Sequence, residues 1–297
     1  MFQLEFSERN TGDQALSQED RRFLTRVTEN IRHREDGHYE MPLPLKDPNT
    51  KLPNNRDMAS HRLKQLKRRF ASDEKYRDDY LTFMNTVIQN GYAEKVPTRN
   101  EDENNQQVWY ILHHGVYHPE KPNKIRVVFD CSAEFKGESL NKHLLQGPDM
   151  TNNLTGVLCR FRQEVVAFMC DIEGMFHQVK VSEAFRDLLR FLWWENGDTS
   201  SQPSEYRMTV HLFGATSSPG CSNFALKSTA NDNEREIGST AANFLREDFY
   251  VDDGLKSVPS VDEAVQLIKD ATEMCKRGGF RLHNLPPTAK KLSAECP

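Results

Sequence analysis

Apolar residues recur at helical spacing at Phe23, Leu24, Val27 and Ile31, behind an SQED run that starts at Ser17, so the pattern predicts an N-capped amphipathic helix. The stretch HYEMPLPLKDPNTKLPNN holds four prolines and reads as an extended connector. Helices are predicted over about 56–70 and 73–90, the second ended by Asn90-Gly91 in a left-handed cap. The acidic, amide-rich tract from Asn100 to Gln107 reads as a loop. From Trp109 the texture changes, because WYILHHGVYH and KIRVVF are rich in β-branched and aromatic residues, as strands are. Alternation in KIRVVF puts Lys124 and Arg126 on one strand face and Ile125 and Val127 on the other. Further on come an apolar strand ending at Asp171, a helix-like DIEGMFHQVKV, a strand at RFLWW and a hairpin around Asp252-Asp253-Gly254. In FGATSSPG, Ser218 is the expected N-cap with Pro219 at the first helical position. A last helix is predicted over about 261–277, with Ser260 and Glu263 as a capping box and Gly278-Gly279 as its stop. This mixture predicts an α+β fold, with helices packed on one face of a sheet.

Composition excludes several classes. With 297 residues, 37% hydrophobic, the chain can bury a sizeable core. Its longest apolar runs, such as VVAFMC, fall far short of the ~20 residues of a membrane span. The start, MFQLEFSERN, lacks the basic and then apolar order of a secretion signal, so the expected location is cytosolic or nuclear, and not the secreted space. The six cysteines lie far apart without zinc-ligand spacing and read as reduced thiols. A net charge of −5 argues against coating nucleic acid by bulk charge but leaves room for a local basic channel.

Chemistry concentrates in the acids. In isolation an Asp-Asp-Gly run is a solvated turn, and an acid opening a helical segment is an N-cap. Asp171, however, follows directly on a buried strand, where a carboxylate is costly unless paired or metal-bound. Three carboxylates converging at strand ends would suit two-metal phosphoryl transfer, in which hard oxygen ligands hold two Mg²⁺ ions. Arg62, Lys64, Lys67, Arg68 and Arg69 form an acid-free basic run that fits template phosphates or a solvated helix face. His113, His114 and His118 lack helical ligand spacing, and the polar Asp198-Thr199-Ser200 loop lacks the flanks of a protease site.

At this point the residues carry a family likeness. YVDD at 250–253 resembles the signature tetrapeptide of reverse transcriptases, and DIEGMF at 171–176 resembles their first catalytic motif. HHGVYHPEKPNKIRVVFDCSAEFKGESLN, LLQGPDMTNNL, DIEGMFHQVKV, YRMTVHLFGATSSPG and FYVDDGLKSV are similar, in order and spacing, to Bel/Pao retrotransposon polymerases. The upstream LPNNRDMASHRLKQLKRRF and the downstream GGFRL extend the likeness from about Ser17 to Leu282. It implies a right-hand polymerase with fingers and an antiparallel palm sheet: 1–108 leading into the fingers, 109–164 the fingers strands, 165–285 the palm, and 286–297 a divergent tail without a thumb. It implies RNA-directed DNA polymerase activity, with Asp171, Asp252 and Asp253 as catalytic metal ligands for two Mg²⁺, or Mn²⁺ in their place. Lys124 and Arg126 would grip the triphosphate, Phe176 would gate the sugar, and Phe213 and Gly214 would contact template and nucleotide. Tyr250, Asn141, Arg62, Lys64 and Lys67 would contact nucleic acid. Implied partners are an RNA or DNA template with primer, deoxynucleoside triphosphates, and the protease, nuclease and integrase domains of a longer polyprotein, with no membrane. In the family, GGFRL is followed by a lysine-bearing turn, a primer-gripping hairpin, a thumb and a nuclease; HNLPPTAKKLSAECP stands there instead, so the expectation is that this chain alone, without a clamp on the primer end, polymerises poorly or not at all. The rival expectations are a non-catalytic remnant that binds nucleic acid or a protein and, more remotely, a nucleotidyl cyclase.

Overall fold

The computed structural model describes residues 16–97, 107–119 and 121–284; the tail at 286–297 and all of the acidic tract but Gln107 lie outside the described residues. Helix α1 (Gln18–Asn30) opens with a closed capping box, Ser17 accepting from Asp20 N while Asp20 accepts from Ser17 N. Its Phe23 and Val27 are fully buried. Strands β1 (Arg32–His33) and β2 (Tyr39–Met41) follow. The proline-bearing connector opens with β2, and after Met41 it carries an isolated bridge, Leu45 with Leu144. Asp73 ends α2 (Arg56–Ser72) and caps α3 (Glu74–Gln89), accepting from Tyr76 N at 2.9 Å. Gly91, at φ +66°, closes α3 as the sequence predicts. After β3 (Ala93–Lys95) come β4 (Leu112–His118) and β5 (Lys121–Asp130), a hairpin in which Ile125 and Val127 are buried while Lys124 and Arg126 are exposed.

Short helices α4 (Leu140–His143) and α5 (Leu154–Phe161) lead to β6 (Val166–Ile172). The predicted helix over DIEGMFHQVKV is instead a single 3-10 turn, Met175–Gln178, followed by β7 (Lys180–Val181). Gly174, left-handed at φ +56°, blocks a helix there, and the β-branched Val179 and Val181 lead into parallel pairing with β2. A 3-10 segment, Glu183–Leu189, precedes β8 (Arg190–Trp193) and β9 (Ser204–Met208). Helix α6 (Ser218–Ile237) begins one residue earlier than predicted, with Ser217 at the N-cap position making no capping bond, and the Ser218 hydroxyl accepts from Leu212 N instead of capping the helix. There follow α7 (Ser239–Glu247), β10 (Phe249–Tyr250), β11 (Asp253–Val258), α8 (Val261–Arg277) and β12 (Leu282–His283). Ser260 caps α8, accepting from Glu263 N.

The fold is α+β, with two hydrophobic cores drawn from interleaved segments. One gathers α2, α3, β4 and β5 with the β3-β9-β8 sheet around Trp109, Tyr80 and Trp193. The other packs α1, α6, α7 and α8 against Phe168, Cys170 and Ile172 of an antiparallel sheet ordered β10-β11-β6-β12. Helices cover that face of the sheet, whereas Ala167 and Met169 on the opposite face are exposed. Among the described residues no helix is long and apolar enough to cross a membrane.

Candidate functional site

The open face of the four-stranded sheet carries the acids. Asp171 of β6 is the register partner of Asp253 in β11 and of His283 in β12, so the three side chains form a row across one face. Their chain neighbours face the core: Ile172 and Leu282 are paired and buried, as are Cys170 and Gly254. A Cβ on Gly254 would sit 2.7 Å from Phe249 Cζ and 2.8 Å from Cys170 Sγ, so only glycine fits there. Phe249 pairs with Gly254 and Tyr250 with Asp253, which makes Val251-Asp252 the two-residue turn. The turn thus falls earlier than the predicted Asp252-Asp253-Gly254, and Asp253 belongs to the strand. Its left-handed residue is Val251, at φ +57°. The Asp252 carbonyl accepts from Ile172 N at 2.9 Å, tying the turn to the end of β6.

Electrostatics make this corner short of positive charge. Burial, then the nearby Asp252 and Asp171, hold the Asp253 carboxyl above its ordinary range. Asp171 Oδ1 is buried without a hydrogen-bond donor. His283 Nδ1 lies 3.9 Å from it, too far for a hydrogen bond. Oxygen donors of this kind fit a hard divalent cation. Among the described residues no three His, Cys, Asp or Glu side chains close around one point, so the acids stand as a row and not a cage.

The other expected residues fall into four groups. Phe176 is half-buried against the second core, its ring 4.5 Å from that of Phe213, which is 47% exposed. Gly214, at φ +118°, would place a Cβ 2.6 Å from the Phe129 carbonyl at the end of β5. Asn141 locks this loop, donating to Gly214 O at 2.9 Å and Ser132 Oγ at 2.8 Å while accepting from Thr216 N at 3.0 Å. Lys124 lines a cavity of about 370 Å³ with Asp79, Phe83, Tyr92 and His177, and His177 stacks edge-on to Phe213. Arg126 is exposed on the same strand. Tyr250 is 37% exposed beside the turn. Arg62, Lys64 and Lys67 project from the solvent side of α2, whose Leu63, Leu66 and Phe70 are buried.

The structure gives His113 a packing role, its ring bonded to Tyr80 Oη and the Leu192 carbonyl and pushed down to about 4 by burial. His283 and β12 escaped the sequence reading. Their only local signal was the alternation of apolar Leu282 with polar His283, too short to reveal a strand.

No protein-family model matches this chain, and no curated protein matches it. Its fold is similar to solved reverse transcriptase structures. The foamy viral protease-reverse transcriptase in complex with double-stranded DNA superposes with a TM-score of 0.52 at 14% identity, over 80% of this chain and 32% of that one. A prototype foamy virus protease-reverse transcriptase mutant gives 0.50 at 16%, over 71% and 24%. The foamy viral enzyme with an RNA/DNA hybrid gives 0.50 at 15%, over the same shares. The chain thus spans about a third or less of these proteins.

Proposed function

We propose that the chain is the fingers and palm of a reverse transcriptase of Bel/Pao retrotransposon type, adding deoxynucleotides to a primer on an RNA or DNA template. The observation that carries this reading is the pairing of Asp171 with Asp253 beside the Asp252 turn, on the open face of a sheet in a reverse-transcriptase-like fold. The four-stranded antiparallel sheet with helices α6, α7 and α8 on one face would be the palm, and the β4-β5 hairpin would belong to the fingers. Asp171, Asp252 and Asp253 would hold two Mg²⁺, with Mn²⁺ able to replace them; the chemistry supplied there would be activation of the attacking hydroxyl and neutralisation of the leaving pyrophosphate. The protein's own work is positioning. Lys124 and Arg126, exposed on one strand face, would take the triphosphate, and Phe176 against Phe213 would press on the sugar and exclude a 2′-hydroxyl. Tyr250 would meet the primer end, and Asn141 would act through the loop it holds. The foamy viral structures with DNA and RNA/DNA hybrid support nucleic acid as the partner class.

The test is primer extension by the purified 297-residue protein on RNA and DNA templates, beside Asp252→Asn with its circular dichroism unchanged. Extension by the parent, slow as expected of this chain alone, and its loss by 10²-fold or more in the variant are expected, on the scale of removing one transition-state charge contact. Template binding without extension, equal in both proteins, would overturn the catalytic reading and leave a nucleic-acid-binding remnant.

A further inference from the structure

The row of side chains on the open sheet face does not end at the aspartates, and its third member is a nitrogen donor. Resting on the reading of Asp171 as a metal ligand, we propose that His283 supplies an imidazole ligand to the ion held at Asp171, and that this end of the site therefore favours Mn²⁺ over Mg²⁺.

Three observations carry this. Strand pairing places His283 directly opposite Asp171, as it places Asp253 on the other side. The placement is secured on the side leading into β12: Glu173 N donates to the Arg281 carbonyl at 3.0 Å, and Arg281 forms an ion pair with Glu173 at 3.1 Å. Upstream, buried Phe280 and the left-handed Gly279 fix the exit from α8. Finally, Asp171 Oδ1, buried and without a donor, is the atom that the ring faces at 3.9 Å. Two donors each ~2.1 Å from one ion are ~3.0 Å apart at a right angle and ~4.2 Å apart when opposed. The observed separation lies inside that bracket. Among the described residues β12 is an edge strand of this sheet.

Carboxylate oxygen serves Mg²⁺ and Mn²⁺ alike, whereas imidazole nitrogen suits the transition metals. Replacing one oxygen by nitrogen therefore shifts the balance between two ions of equal charge. It does so without adding negative charge to a corner that already holds three carboxylates.

The experiment uses Mn²⁺ alone with the 297-residue protein. Pulsed electron paramagnetic resonance should show nitrogen coupling to bound Mn²⁺, absent in His283→Ala. In that variant the ratio of Mg²⁺ to Mn²⁺ dissociation constants should fall at least about tenfold, as lost ligand-shell contacts do. His283→Gln, which keeps polarity and bulk, should lose the coupling as well. Mn²⁺ binding that is abolished by Asp171→Asn yet shows no nitrogen coupling would overturn the role of His283 and leave the aspartate site standing. Failure of the parent protein to bind Mn²⁺, or binding untouched by Asp171→Asn, would overturn both.

Discussion

Val251 holds a β-branched side chain at φ +57°, a conformation that costs on the order of 1–3 kcal/mol and persists only where its surroundings over-determine it. Here they do, since pairing of Phe249 with Gly254 and of Tyr250 with Asp253 clamps the turn from both sides. The strain delivers Asp252 to the end of β6 and leaves Asp253 beside Asp171. A second cost at the same corner is electrostatic and can be measured. The Asp253 carboxyl is raised above its ordinary 3.8 by burial and by two like charges. Because the folded state holds that proton more tightly than the unfolded chain, stability from this group is greatest at low pH. It declines as pH rises past 3.8 and through the raised value. Asp253→Asn should therefore raise Tm at pH 7 while removing activity. Since Asp253 is solvent-exposed, the gain is at most about 1 kcal/mol, or about 2–4 °C in a protein of this size. The difference between variant and parent should vanish below about pH 4, and a Tm series from pH 3 to 8 decides it.

Loop 212–216 shows how elements beyond the sheet set the site's shape. Asn141 of α4 makes three hydrogen bonds to its surroundings, two of them to the loop backbone, and Gly214 approaches the Phe129 carbonyl where no side chain fits. Asn141→Ala should cost about 1–3 kcal/mol through stranded polar groups, seen as a lower denaturant midpoint. Gly214→Ala meets both a backbone clash and a positive φ, so it should weaken deoxynucleotide binding more than it lowers stability; an unchanged KM for nucleotide would remove Phe213 and Gly214 from the site. Local chemistry made many elements legible: Ser17 with Asp20, and Ser260 with Glu263, cap helices as their spacing says. The alternation of Lys124, Ile125, Arg126 and Val127 reads directly as a strand. Where the sequence reading failed, long-range pairing decided. Val179 to Val181 turn away from helix because β2 is there to receive them, and two-residue β12 exists only because β6 has a free edge. The carboxylates were legible as residue types and their convergence as an expectation. The turn's offset to Val251 follows from cross-strand register, which no linear pattern carries.

Across the whole molecule the formal charge is −5, so attraction to a phosphate backbone must come from a local surface. Helix α2 offers one, because burying Leu63, Leu66 and Phe70 turns Arg62, Lys64, Lys67, Arg68 and Arg69 outward together. Not all five are equally available. Arg69 lies 3.6 Å over the Tyr76 ring, and Arg62 donates to Gln65. Two readings of this face remain from the sequence, a phosphate track and a merely solvated helix, and they differ in salt dependence. Each phosphate neutralised releases condensed counterions, so the logarithm of affinity falls against the logarithm of salt with a slope of about −0.9 per contact on duplex DNA. If Arg62, Lys64 and Lys67 each meet a phosphate, changing all three to glutamine should flatten that slope by about 2.7. Affinity should fall uniformly across sequences, because phosphate contacts carry no base information. Fold and Tm should barely move, since these side chains are exposed. Fluorescence anisotropy of a labelled template-primer from 50 to 300 mM salt gives the slope for parent and triple variant. An unchanged slope with reduced affinity would mean the substitutions act indirectly, and an unchanged slope with unchanged affinity would return the face to solvent. Asp252→Asn supplies the counter-test: it should leave the slope intact, because a carboxylate poised for cations contributes nothing to counterion release from the duplex.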